Sequence, residues 1–381
     1  MFKKKRIYLD YAAATPVLPE VRRAMEKYWS GSFHNPSSLY EEGVKARQEL
    51  EEYRASIANL LGAGKKDIVF TSSGTEANNL AILGAFEAYR EEHPHKRGHI
   101  VVSAIEHPSV YEAAQEVKRR GGDVSVVGVD KEGKVSVAKI VAALRPDTLL
   151  VSIMLANNEI GTILPVAKIG RAIKEERKKR ESNYPYLHTD ASQAPSFMSV
   201  NVETLGVDLM TLDASKIYGP KGVGLIVVRP RVAIRPIIIG GSQENGLRSG
   251  TESLALIAGF EKALSLAARD REKESGRVKS LRGHFINELL KKVPDAVING
   301  SRENCLPNIV SVSIPNTFSE MLLLALDREG IMVSVGSACS SRDEEEKDAV
   351  RFSFGRGTSR ADIDKVLRIF PRLIRYDKIA S

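Results

Sequence analysis

Residues 67–92 read DIVFTSSGTEANNLAILGAFEAYREE. A short apolar run gives way to small hydroxyl residues and a glycine, and then to a long helical pattern. Strand, tight turn and helix in that order form the unit from which parallel sheets are built. Six further apolar runs repeat the strand signal: HIVVSA (99–104), VSVVGV (124–129), LLVSIML (149–155), YLHTD (186–190), DLMTLD (208–213) and VGLIVV (223–228). Their near-continuous apolar character suits strands buried on both faces. With VAKIGRAIKEERKKR (166–180) as another helix, the alternation predicts an α/β fold. The expected core is a mostly parallel, seven-stranded sheet with helices on both faces.

The remainder predicts a smaller α+β domain. PEVRRAMEKYW (19–29) shows an apolar stripe at Val21, Ala24, Met25 and Tyr28, with Pro19 suited to a first helical turn. From about Ser253 to Val293 the pattern is helical, with an interruption expected at Gly276. NIVSVSI (308–314) and VRFSF (350–354) read as strands, and 320–329 and 361–375 as helices, the last bent or broken at Pro371. The expected division is a large domain over 14–255 and a small one made of 1–13 and 256–381.

The 381-residue chain is 43% hydrophobic and 27% charged, ordinary for a globular enzyme. Its apolar runs are too short to cross a bilayer, and none follows the basic residues of MFKKKR as a secretory signal requires. Cys305 and Cys339 are the two cysteines; they make no disulfide framework and fit a reducing cytoplasm. Cys305 precedes Pro307 and reads as structural. The net charge of +8 would suit acidic protein partners or RNA, with surface lysines as the plainer explanation, and direct nucleic-acid binding is not expected.

Four features fall at strand ends, where open α/β sheets bind ligands. In FTSSGTEANN (70–79), Gly74 and Thr75 begin a helix whose backbone N–H groups suit an anion; an ordinary N-cap is the alternative. In YLHTDASQ (186–193), Asp190 ends a buried strand and needs a cation or a donor, or caps a helix. In LMTLDASKIYGPKGVG (209–224), Lys216 follows another strand and is placed to lose its proton and condense with a carbonyl, whereas Lys221 sits in a glycine-rich turn. In SAIEHPSV (103–110), His107 offers a flat face and a proton shuttle, or a structural imidazole. An anion site, an acid, a lysine and a flat partner together describe what pyridoxal 5'-phosphate requires. No metal site is expected.

YLDYAAATP, GSFHNPSS, FTSSGTEANNLAI, SIMLANNEIG, HTDASQA, KIYGPKG, GLRSGT, NIVSVSI, GSACSS and VRFSFGR occur in this order between residues 7 and 358. In this the chain resembles the class V, fold-type-I pyridoxal-phosphate enzymes, and among them the cysteine desulfurases of the iron–sulfur-cluster and nitrogen-fixation type. The resemblance implies a homodimer in which Lys216 carries the cofactor, Asp190 pairs with the pyridine nitrogen and His107 stacks on the ring. It implies Asn158 and Gln193 at the phenolic oxygen, and Gly74, Thr75 and Ser215 at the phosphate, with Thr251 reaching in from the second subunit. Arg351 and Asn35 would clamp the carboxylate of L-cysteine, a task suited to a bidentate arginine. Cys339 would take the sulfur as a persulfide, leave alanine behind, and pass the sulfur to an iron–sulfur scaffold or a tRNA-thiolation enzyme. A selenocysteine lyase, another class V enzyme and a non-catalytic scaffold on the same fold are the alternatives.

Two departures from the family pattern stand out. Where the family carries S-x-H-K, this chain has Asp213, Ala214, Ser215, Lys216. At about 5 Å and an effective dielectric of about 20, the added carboxylate opposes a phosphate by about 3 kcal/mol per phosphate charge. The expectation is that Asp213 either points away or weakens phosphate binding. The link between Cys339 and Arg351 is also short and carries the acidic run DEEEKD (343–348). It reads as a trimmed, solvated turn, or as a changed reach for Cys339.

Overall fold

The structure, a computed structural model, describes residues 6–337 and 348–380. After a two-residue strand, β1 (Ile7–Tyr8), the large sheet is made of β2 (Ile68–Thr71), β3 (His99–Ser103), β4 (Asp123–Val127), β5 (Thr148–Ser152), β6 (Tyr186–Asp190), β7 (Leu209–Asp213) and β8 (Gly224–Val228). Their order is β2-β8-β7-β6-β5-β3-β4. β8 runs antiparallel to both neighbours and the other pairs are parallel. The expected seven-stranded, mostly parallel sheet is therefore present. Alternate residues of one strand feed different cores, as the two-residue period dictates. Val101, Leu187, Met210 and Leu225 pack on one face, and Ile100, Tyr186, Leu209 and Ile226 on the other.

The helix after β2 runs from Gly74–Asn79 through a π turn, Leu80–Gly84, into Ala85–Glu92. Every residue of the π turn is buried. The helix Val166–Arg180 matches its expected bounds.

The second unit is built on the antiparallel sheet β12-β13-β10-β9, from β9 (Val297–Asn299), β10 (Ile309–Ser313), β12 (Ser334–Ser337) and β13 (Asp348–Ser353). β11 (Ile331–Met332) pairs in parallel with β1, which ties the start of the chain to this unit.

Two local expectations are corrected. The helix Leu254–Lys292 is unbroken at Gly276. A mid-helix glycine weakens a helix by about 1 kcal/mol, and here packing on either side overrides it. Leu254 to Leu266 lie in the core of the large unit, and Val278 to Leu289 in that of the small one. One helix thus serves both cores. The helix Arg360–Ala380 likewise continues through Pro371; Phe370 and Ile374 on either side are buried in the small core.

A buried ion pair joins the sheet to its surroundings. Arg54, on the helix Glu41–Leu61, donates to both carboxylate oxygens of Glu244 at 2.7 Å. Glu244 also accepts the Phe70 N–H at 2.7 Å. It does so from a left-handed backbone, with φ of 49°, a conformation uncommon for a residue with a side chain. Glu244→Ala leaves the buried guanidinium with the half-exposed Glu51 as its one remaining carboxylate among the described residues and is expected to lower the unfolding free energy by about 2–4 kcal/mol. Chemical denaturation measures this, and a loss below about 1 kcal/mol, the worth of an exposed pair, would contradict the assignment. Among the described residues, no helix is long and apolar enough to cross a membrane.

Candidate active site

The C-terminal ends of β6 and β7 and the turn after β2 open onto one cavity of about 380 Å³, a size ordinary for a small-molecule site. Gly74, Thr75, His107, Asn158, Asp190, Gln193, Ser215, Lys216 and Arg351 all line it. Residues up to 277 apart in the chain are thus brought together as expected, from Gly74 to Arg351.

Lys216 follows the end of β7 in a single 3-10 turn, Ala214–Lys216. Its Nζ donates to the carbonyls of Ala13 (2.5 Å) and Ala12 (3.3 Å). Burial lowers its pKa below the ordinary 10.5, with Asp213 opposing and Arg351 reinforcing the shift. Aldehyde condensation requires the neutral amine. Borohydride trapping of an aldehyde on Lys216 should therefore rise with pH to a midpoint below 10.5. Asp213→Asn removes the opposing charge and should move that midpoint down further. A midpoint that rises in Asp213→Asn would contradict this reading.

Asp190 sits at the tip of β6. One carboxylate oxygen accepts Asn78 Nδ2 at 2.8 Å and the other the Ser192 N–H at 3.0 Å. The acid is held by donors and still faces the cavity. His107 caps the helix Pro108–Arg119, its Nδ1 accepting the Ser109 N–H at 3.2 Å, 2.7 Å from Ser109 Oγ. Burial lowers its pKa, which favours the neutral imidazole. Beneath it, Glu106 is fully buried, and burial raises its pKa to about 8. It accepts from Ser103 Oγ and the Met154 N–H.

Gln193 Nε2 donates to Ala12 O at 2.9 Å. Arg351 projects from β13, donating to Asn158 O (3.0 Å) and Asp10 Oδ1 (2.8 Å). Its Nε is buried without a partner among the described residues.

The anion pole takes an arrangement the sequence left open. β8 passes so close to the turn that a Cβ on Gly224 would lie 2.5 Å from the Ser73 carbonyl carbon. Glycine is required there. Asp213 does not point away. Its Oδ2 accepts the Gly74 N–H at 2.9 Å, and its Oδ1 accepts the Ser215 N–H at 2.8 Å and Ser215 Oγ at 2.6 Å.

Two expected residues lie elsewhere in the single chain. Asn35 is exposed and accepts the Ser37 N–H at 2.8 Å, and Thr251 is exposed. Neither lines the cavity. Cys339 and the acidic run up to Lys347 lie outside the described residues.

Residues 7–366 match the aminotransferase class-V model. The chain belongs to the aminotransferase class-V family. Within that family it is 42% identical to a cysteine desulfurase IscS of Dictyoglomus turgidum, over 97% of this chain and 95% of the relative. It is 40% identical to a cysteine desulfurase IscS 1 of Archaeoglobus fulgidus, over 96% of each. A solved NifS-like protein superposes with a TM-score of 0.90 at 32% identity, covering 98% of this chain and all of the other.

As a class-V site, the cavity fits the ring and aldehyde ends of pyridoxal phosphate. There Asp190 would serve the ring nitrogen, His107 a ring face, Gln193 and Asn158 the oxygen beside the aldehyde, and Lys216 the aldehyde. The phosphate end fits only in part, because Asp213 already engages the Gly74 and Ser215 donors. Sequence reasoning missed Asn78, Ser192 and Asp10, each inside a quoted motif. Only Asp10, a carboxylate beside an apolar strand, gave a signal of its own.

Proposed function

We infer that the protein is a pyridoxal-phosphate-dependent cysteine desulfurase, converting L-cysteine to L-alanine and passing the sulfur to an acceptor. One observation carries the reading: a single cavity holds Lys216, Asp190, His107 and Arg351 in a chain of this family. Bound pyridoxal phosphate supplies an electron sink for the substrate Cα. Asp190, held by its two donors, would pair with the ring nitrogen.

Arg351 receives the substrate carboxylate, which takes over donors now shared with Asp10 and Asn158. Lys216, its amine depressed toward neutrality, accepts the Cα proton and returns it. His107, neutral and over the cavity, serves as a second proton carrier. The Cys339 thiolate forms a bond to the substrate sulfur as the Cβ–S bond breaks. That bond's electron pair stays on carbon, which takes a proton and leaves as alanine. The sulfur remains on Cys339 as a persulfide.

We assign the completion of the site to a homodimer, in which Thr251 of one copy serves the phosphate end of the other. Asn35, exposed in the single chain, joins Arg351 at the substrate carboxylate. The large, cofactor-holding domain is taken as 14–255, sharing the long helix with the small one. Iron–sulfur scaffolds and tRNA-thiolating enzymes both fit as sulfur acceptors, and a reducing cytoplasm suits a thiol nucleophile. The test is alanine release from L-cysteine by the cofactor-loaded protein; production of no alanine defeats the reading.

A further inference from the structure

We propose that Asp213 is an internal anion that occupies the phosphate-binding pole, so the site takes pyridoxal-type aldehydes with little premium for the 5'-phosphate. This rests on the cofactor reading above. Beside the exposed Thr75, that pole presents the first amide of the helix that starts at Gly74 and the amide and hydroxyl of Ser215. All three bond the Asp213 carboxylate. The helix is a real electrostatic element, since it continues through the π turn to Glu92.

A second observation comes from the turn after β6. Ser192 Oγ is buried, has no hydrogen-bond partner among the described residues and lines the same cavity. It lies 3.4 Å from where a Cβ on Gly74 would stand, and Asp213 Oδ2 lies 3.3 Å from that point. The pole is thus a built anion cradle. One carboxylate already takes most of its donors, and one hydroxyl remains unspent.

A phosphate arriving there must displace Asp213 from Gly74 or share the pole with its charge. Either way it gains little of what such a cradle ordinarily gives. A hydrogen bond to a charged group is worth about ten- to hundredfold in affinity when it is not already committed. Pyridoxal, which lacks the phosphate, makes no demand on the pole and is indifferent to Asp213 there.

The test is equilibrium titration of the cofactor-free chain with pyridoxal phosphate and, separately, with pyridoxal, followed by absorbance of the protein-bound aldehyde. Wild type is expected to bind the two with dissociation constants within about tenfold. Asp213→Ser should tighten pyridoxal phosphate by about tenfold or more relative to pyridoxal, since its effect on the Lys216 amine acts on both aldehydes alike. Asp213→Asn keeps the shape, removes the charge and should shift in the same direction, which covers a serine variant that folds poorly. Inorganic phosphate should strengthen pyridoxal binding by Asp213→Ser and leave wild type unchanged.

Equal shifts for both ligands, or no shift in either, overturn the assignment. Uptake of neither aldehyde by any form overturns the cofactor reading and this inference with it. Uptake with the predicted ratios but no alanine from L-cysteine overturns the desulfurase reading alone.

Discussion

Lys216→Ala is expected to lower alanine formation from L-cysteine by about 10⁴-fold or more. The reason is that one amine performs several tasks in one place. On the proposed reading it would hold the cofactor aldehyde, give it up to substrate, and then handle the Cα proton. The Ala12 and Ala13 carbonyls hold it at the mouth of the cavity, and burial keeps it reactive. Among the described residues no other lysine lines that cavity, so no neighbour there takes over. Lys216→Arg should fail equally, because arginine keeps the charge but does not release its proton. Both variants should also lose borohydride-trappable cofactor. Activity within about tenfold of wild type in either variant would show that the wrong lysine has been assigned.

Cys339→Ala should lower desulfuration by about 10³-fold or more while leaving cofactor uptake and substrate binding intact. The groups proposed to bind the ring and the carboxylate are Asp190, His107, Gln193 and Arg351, held by Asn78, Ser109, Ala12 and Asp10. The spectral response to added L-cysteine should therefore persist, with no sulfur carried away. Loss of cofactor binding in this variant would instead make Cys339 structural. Cys305 is the internal control. It is half-buried, burial raises its thiol pKa, and it lies outside the cavity. Cys305→Ala should leave the reaction unchanged.

The large sheet was readable because its strands are short apolar runs closed by turn residues, and buried parallel strands have that composition. The run VSVVGV was less informative. Its strand lies at the sheet edge, begins at Asp123 and is half-exposed along most of its length. Local breakers misled at Gly276 and Pro371, where burial on both sides outweighs the local preference.

The site divides along the same line. Lys216, Asp190 and His107 could be named from their places after apolar strands. The behaviour of Asp213 could not. Its partner, the Gly74 N–H, lies 139 residues away, and only the close pass of β8 under the turn brings them together. Asn78 and Ser192 were invisible for a related reason: each acts by supporting or facing another residue across the sheet end.

The most direct test of the account is a single-turnover incubation of the cofactor-loaded chain with L-cysteine and no added reductant. Alanine is quantified and the intact protein mass recorded. The account predicts alanine equal to the active sites, one extra sulfur atom on wild type located at Cys339, and neither product from Cys339→Ala. Alanine released equally by Cys339→Ala, or wild type that gains no sulfur while consuming L-cysteine, would contradict it.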